Sequence, residues 1–307
     1  MNIFLYGLVV MIWGTTWIAI FLQQQGSVAV PVSIFWRFAI AALVMLLLLR
    51  ITRRLQPLAL RDHLFCILQG GCVFGLNFYC FYHAAAWISS GLESVIFSMA
   101  VLFNALNSFI FFRKSPQPGF FPAAVLGMCG MIVLFWTDFT AARLSSSLLV
   151  GIASCLLGTY GFSLGNMIST RHQQRGLDIL SCNGWAMLYG SLLMAAIALG
   201  HGDSFVPETS VRYLGAVLYL ALFGSVIGFG AYFTLVGRIG ANRAAYSTLL
   251  FPLVALTLST LFEGYQWHGS AVLGLLMILG GNLLMFVRPW QWRPARGQVA
   301  REGADLH

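Results

Sequence analysis

Two glycine trios, each ending in a tyrosine, carry the first chemical signal in this chain: Gly71, Gly75 and Tyr79, and Gly224, Gly228 and Tyr232. Steps of four residues set each trio on one helix face, a groove without side chains followed by a phenolic hydroxyl. A planar or zwitterionic solute can stack on such a ring and hydrogen-bond to its hydroxyl. Close helix packing uses the same glycine spacing, and the two roles are compatible in helices that slide or rock. Paired, glycine-broken apolar segments in two halves of a chain point to a transport site. The candidate substrate-binding residues are Trp13, Thr15, Arg37, Tyr79, Tyr82, Asn104, Thr159, Tyr232 and Tyr246, with Gly71, Gly75, Gly224, Gly228 and Pro252 as hinge or packing positions.

Arg37 is the one cation committed to an apolar run, about 9 Å inside its end at 1.5 Å per residue. A buried guanidinium calls for a partner, either a substrate carboxylate held bidentately or a structural group such as Glu93 or a backbone carbonyl. Glu93 itself stands in Ser90-Gly-Leu-Glu93, the spacing of a capping box at a helix start. Glu263 falls at a helix end, so no carboxylate is placed near the middle of the apolar layer and a central carboxylate relay has no support. His83 lies on the face of Tyr79, as an interfacial hydrogen-bonding group or, where water reaches it, a titrating one.

Reaction chemistry finds little footing. Gly161-Phe-Ser163-Leu-Gly165 has the letters of a nucleophile elbow, but that motif requires a strand before its turn and here it lies in an apolar helical run. His-Glu-x-x-His, paired aspartates and phosphate-binding loops are absent from the sequence. The six cysteines, Cys66, Cys72, Cys80, Cys129, Cys155 and Cys182, show no Cys-x-x-Cys spacing and read as reduced packing residues. No catalytic residue, metal or cofactor is expected.

The elements that must position these residues follow from composition. Of 307 residues 8% are charged and 59% hydrophobic, with a mean hydropathy of +0.83. That leaves too little polar surface to cover a soluble globule, so the chain is an all-α integral membrane protein. A crossing helix needs about 20 apolar residues. Ten runs are expected, near 3–22, 31–49, 64–83, 92–112, 120–136, 147–168, 179–199, 211–234, 244–262 and 270–287. The first begins without a basic segment before it and reads as a retained helix.

The net charge of +8 is topology, not a nucleic-acid footprint. Fourteen of the seventeen cations follow the second, fourth, sixth, eighth and tenth runs. Arg143 and Arg212 fall on the other side with Asp138, Asp203, Glu208 and Glu263. The positive-inside rule then sets both termini in the cytoplasm.

An internal repeat orders the chain. Leu5, Gly7, Gly14 and Thr15 recur as Leu149, Gly151, Gly158 and Thr159 at an offset of 144. Trp36, Leu43 and Met45 recur as Trp185, Leu192 and Met194 at 149, and Phe112, Gly119, Gly130 and Leu134 as Phe262, Gly269, Gly280 and Leu284 at 150. The glycine trios repeat at 153, whereas an offset of 150 pairs Tyr82 with Tyr232, so that register stays open. Five runs per half make the repeats inverted, with a cavity expected at their interface. The expected division is 1–144 for the first repeat, 145–290 for the second and 291–307 for a disordered, basic cytoplasmic tail.

Residues 219–286, with Trp13-Gly14, Arg37-Phe38, Pro252 and Glu263, resemble the EamA family of the drug/metabolite transporter superfamily. The resemblance spans residues 3–287. It implies ten helices and secondary transport of small organic solutes, most often export of amino acids, metabolites or drugs from bacterial cells. The sequence departs from the pattern where Leu102 answers Pro252 and Arg113 answers Glu263, so the proline and the acid occur once each. The resulting expectation is an exporter of amino acids or related metabolites in the bacterial inner membrane, working by alternating access. An importer of the same fold is the alternative, ahead of an intramembrane enzyme or a scaffold. The expected partners are the small-molecule substrate and membrane lipids, not nucleic acid, in a monomer or homodimer.

Overall fold

The computed structural model describes residues 2–113, 119–137, 146–245 and 247–284, and among them the chain is helical with no strand. Seven helices are long and apolar enough to cross a membrane: α1 (Asn2–Gln24), α2 (Val30–Ile51), α3 (Leu60–Ala84), α4 (Ser90–Phe112), α6 (Ser146–Gln174), α7 (Ile179–His201) and α8 (Val211–Ile239). Three shorter apolar helices accompany them: α5 (Phe120–Leu134), α9 (Ser247–Phe262) and α10 (Gly269–Leu284). Backbone groups have no water to bond in hydrocarbon, so helices that satisfy their own amides are the form these apolar runs can take. The protein is a multi-pass membrane protein. Tyr246 and the segments 114–118, 138–145 and 285–307 lie outside the described residues, and with them Lys114, Asp138, Arg143 and the basic tail.

Helix starts follow local chemistry. Pro31 opens α2, where its missing N–H costs nothing. Asp178 caps α7 by accepting from the Ser181 amide at 2.8 Å, and Ser210 caps α8 by accepting from the Tyr213 amide at 3.2 Å. The start of α4 is served from another helix. Glu263, at the end of α9, accepts from both the backbone N–H and the hydroxyl of Ser90. The capping-box reading of Ser90 and Glu93 is therefore corrected: Ser90 is engaged by Glu263, and both Glu93 carboxyl oxygens are buried without a hydrogen-bond partner among the described residues.

Glycine sets how closely the helices approach. A Cβ on Gly70 would lie 2.3 Å from the Ala186 carbonyl oxygen, and one on Gly274 would lie 2.4 Å from the Leu134 nitrogen. So α3 meets α7, and α5 meets α10, backbone to backbone. By contrast a Cβ on Gly71 finds its nearest neighbour, Leu193, at 3.8 Å. The tight α3 contact lies one residue earlier than the glycine spacing predicts.

Two helices change pitch. Gly70–Asn77 of α3 and Leu220–Ile227 of α8 are π-helical, eight residues each. Their starts differ by 220 − 70 = 150 positions and their ends by 227 − 77 = 150. Such wide turns are rare and gather at functional sites.

Charge separates the two ends of the bundle. At one, Asp62 pairs with Arg171 at 3.2 Å and Arg175 at 2.7 Å. At the other lie the Glu263–Ser90 contact and Arg212 with Gln25.

Candidate functional site

Beside the π-helical segment of α3 a partly open cavity is lined by Trp13, Thr16, Trp17 and Ile20 of α1, Arg37 of α2, Asn77, Phe78 and Phe81 of α3, Phe97 of α4, Phe229 of α8 and Phe251 of α9. The space open to the centre of a water molecule is about 30 Å³, room for two or three waters at roughly 10–15 Å³ each.

Trp13 is the centre of the aromatic wall. Its ring lies 4.8 Å from Tyr232 and 4.9 Å from Phe229, with Phe162 at 6.0 Å. Its indole N–H donates to the Gly224 carbonyl at 3.2 Å. Glycine is required opposite it: a Cβ on Gly228 would stand 2.6 Å from that indole nitrogen, and one on Gly224 would meet Thr16 at 2.8 Å and the Arg37 guanidinium at 3.4 Å. Gly224 and Gly228 thus seat side chains of α1 and α2, while Gly75 faces Leu193 and Met194 of α7.

Arg37 is buried, 1% exposed. Nε donates to the Ser225 hydroxyl at 3.1 Å and Nη1 to the Tyr82 hydroxyl at 3.4 Å. The guanidinium lies 4.2 Å from the Phe78 ring centre and 5.0 Å from that of Phe38, a cation–π arrangement. Ser225 is free to face it because its hydroxyl donates five residues back, to the Leu220 carbonyl at 2.8 Å, within the π-helical turn. Tyr82 passes the chain on, donating to Gln23 at 2.7 Å. Among the described residues Arg37 forms no ion pair. Neither Glu93 nor a backbone carbonyl fills the partner role considered for it. Arg37 is thus a cation in an apolar layer with neutral contacts among the described residues, standing at the cavity wall.

A second polar strip adjoins the aromatic wall. Asn166 of α6 donates to the Tyr232 hydroxyl at 3.1 Å and to the Asn104 side-chain oxygen at 3.2 Å. Asn77 donates to the Gly158 carbonyl at 2.8 Å, and Asn107 to the Ser163 hydroxyl at 2.9 Å. Ser163 sits mid-helix in α6, so the elbow letters around it have no turn to act on.

Of the residues singled out from sequence, Trp13 and Arg37 line the cavity, while Tyr82, Tyr232 and Asn104 stand behind it through the contacts just given. Thr159 is buried and bonds back to the Cys155 carbonyl at 2.7 Å. Thr15 is partly exposed and paired with Tyr219; its neighbour Thr16 faces the cavity. Tyr79 is half-buried against His83, ring centres 4.3 Å apart. Pro252 lies inside α9 beside the lining Phe251. The lining residues not singled out from sequence are Thr16, Trp17, Ile20, Asn77, Phe78, Phe81, Phe97, Phe229 and Phe251; Trp17 was within reach as the residue one helical turn after Trp13.

A helical membrane bundle with an aromatic cavity and a buried cation at its wall has the makings of a solute carrier. The model of the EamA-like transporter family matches residues 1–136 and again 149–287, and the chain belongs to that family. It is 25% identical over 291 residues to the protein PagO of Salmonella typhimurium, covering 92% of each chain. A probable amino-acid metabolite efflux pump of the same organism is 24% identical over 200 residues, 62% of this chain and 66% of the pump. A solved crystal structure matches with a TM-score of 0.67 at 16% identity, covering 93% of this chain and 96% of its own, a likeness of fold. The family is one of transporters, and on that ground the chain is not an enzyme.

Proposed function

We propose that this protein exports small carboxylate-bearing solutes, amino acids or related metabolites, across the bacterial inner membrane by alternating access. The observation that carries the reading is Arg37: a buried guanidinium at the wall of an aromatic cavity with no carboxylate partner among the described residues. A carboxylate entering the cavity completes its hydrogen bonding, and the rings of Trp13, Phe78 and Phe229 favour an apolar or aromatic remainder. Export and amino-acid cargo are supported by the name of the probable amino-acid metabolite efflux pump among the relatives.

The ten-span, inverted-repeat arrangement belongs to this proposal. It is supported by seven long and three short apolar helices, by two separate matches to one family model, and by π-helical turns at equal positions in the two halves. Their spacing of 150 favours the register that pairs Tyr82 with Tyr232, both buried, over the one that pairs half-buried Tyr79 with it. The cationic end around Arg171 and Arg175 is assigned to the cytoplasm.

The test is exchange in liposomes carrying the purified protein, preloaded with a mixture of amino acids and aromatic carboxylic acids and challenged with labelled members of the mixture. Saturable exchange of carboxylates, with no exchange of the matching amides, is the expected result. Exchange indifferent to the carboxylate overturns the assigned cargo. No exchange with or without an imposed proton gradient overturns transport of this class.

A further inference from the structure

At the cationic end, away from the aromatic cavity, three side chains from three spanning helices converge: Cys66 of α3, His172 of α6 and Cys182 of α7. We propose that they form a binding site for a thiophilic d¹⁰ cation, Zn²⁺ or Cu⁺.

One ligand atom from each, the two Sγ atoms and a ring nitrogen, lie within 4.8 Å of one another, and Cys66 Sγ is 4.0 Å from His172 Nε2. Tetrahedral zinc holds sulfur at about 2.3 Å and nitrogen at about 2.0–2.1 Å, which separates ligand atoms by roughly 3.6–3.8 Å. Contraction by about 1 Å or less closes the triangle on an ion.

All three residues are buried, and neither cysteine is in a disulfide. His172 is the informative member. It is 1% exposed, its Nδ1 has no hydrogen-bond partner among the described residues, and its ring lies against both sulfurs, with Nε2 4.0 Å from Cys66 Sγ and the Cys182 thiol in side-chain contact. A buried imidazole ordinarily sits where both ring nitrogens are served. Here the two sulfurs are what accounts for its place. Thiolates and imidazole select soft and borderline cations over Mg²⁺ or Ca²⁺. With two thiolates and a neutral imidazole, Zn²⁺ makes the site electrically neutral, which suits a low-dielectric setting, whereas Cu⁺ is content with three ligands. Zn²⁺ would take a water as its fourth ligand. The ion would tie α3, α6 and α7 together one helical turn from the Asp62–Arg171 ion pair.

The site does not depend on the transport reading, and its test needs no transported solute. Purified full-length protein in detergent is dialysed against Zn²⁺, or against Cu⁺ without oxygen, and bound metal is counted by elemental analysis. About one ion per chain is expected. Stoichiometric uptake of Zn²⁺ in competition with Cu⁺ assigns the first, displacement by Cu⁺ the second. C66S and C182S should each lower affinity by more than the roughly 10- to 100-fold that loss of a supporting residue costs.

Because either variant could fold poorly, the wild-type protein is also alkylated with and without metal. Bound ion should shield Cys66 and Cys182 while leaving exposed Cys129 to react at an unchanged rate. Uptake that persists in the C66S/C182S double variant, equal alkylation with and without metal, or formation of a Cys66–Cys182 disulfide with no metal retained would each overturn the proposal.

Discussion

Replacing Arg37 by glutamine separates a cation that serves the solute from one that serves the fold. Removing one member of a buried ion pair typically costs about 3–5 kcal/mol, because the other charge is left behind. Arg37 leaves none behind among the described residues. What the fold loses is the bond to Ser225, the long 3.4 Å bond to Tyr82 and the stacking on Phe78. Hydrogen bonds to a charged group contribute about 1.5–3 kcal/mol each, and the glutamine amide can restore one of them. Loss of the buried charge itself works in the opposite direction. The folded yield of R37Q is therefore expected to stay near that of the wild type.

A transported carboxylate, in contrast, loses at least one charge-assisted hydrogen bond, about 1.5–3 kcal/mol, or roughly a 10- to 150-fold rise in half-saturating concentration. Counterflow in liposomes, normalised to monodisperse protein, reads both quantities together. R37K retains the charge without the planar fork and should fall between the two. The reasoning is refuted if R37Q loses folded protein and exchange in the same proportion, or if it exchanges carboxylates with an unchanged half-saturation. The first result would make Arg37 a brace; the second would remove it from solute binding.

Three further outcomes follow from the same geometry. G228A should abolish exchange, because its Cβ would fall 2.6 Å from the Trp13 indole nitrogen, whereas G71A, with its nearest neighbour at 3.8 Å, should behave as wild type in the same assay. Y232F removes the hydroxyl that accepts from Asn166 and should lower thermal stability by about 1–3 kcal/mol, while Y79F, whose ring stands outside the cavity against His83, should leave stability and exchange unchanged. E93Q sacrifices no hydrogen bond among the described residues, where neither Glu93 oxygen has a partner, so its melting temperature should match or exceed that of the wild type.

How much of this was legible beforehand depends on the range of the interaction. The membrane class, the helical runs and the commitment of Arg37 to the apolar layer follow from hydropathy and charge placement, which are local properties. Which way a helix faces is not local when apolar residues surround it. Thr15 and Thr16 differ by about 100° of rotation, and an all-round hydrophobic α1 offers nothing to choose between them. Phe81, Phe97 and Phe251 were indistinguishable from lipid-facing phenylalanines for the same reason. Contacts between distant segments were out of reach altogether. Ser90 and Glu263 are 173 positions apart, and Cys66 and His172 are 106 apart, so neither a cap supplied from another helix nor a cluster built from three helices leaves a spacing motif.

The glycine trios teach a narrower lesson about what such a pattern means. Their four-residue spacing invited one explanation for both, yet the two copies do different things. In α8, Gly224 and Gly228 clear space for Trp13, Thr16 and Arg37, three residues of the cavity wall. In α3 the tightest contact belongs to Gly70 against α7, and the cavity side is filled by Asn77, Phe78 and Phe81. What the halves share is the π-helical turn, eight residues in each, at a spacing of 150. In the α8 copy that turn aims the Ser225 hydroxyl at Arg37 while its proton satisfies the Leu220 carbonyl five residues back. Straightening the turn to ordinary α-helix would rotate Ser225 and change the support of the guanidinium in the same movement. On the transport reading, a change in the π-helical turn of α8 would then alter the support of the cavity's cation directly.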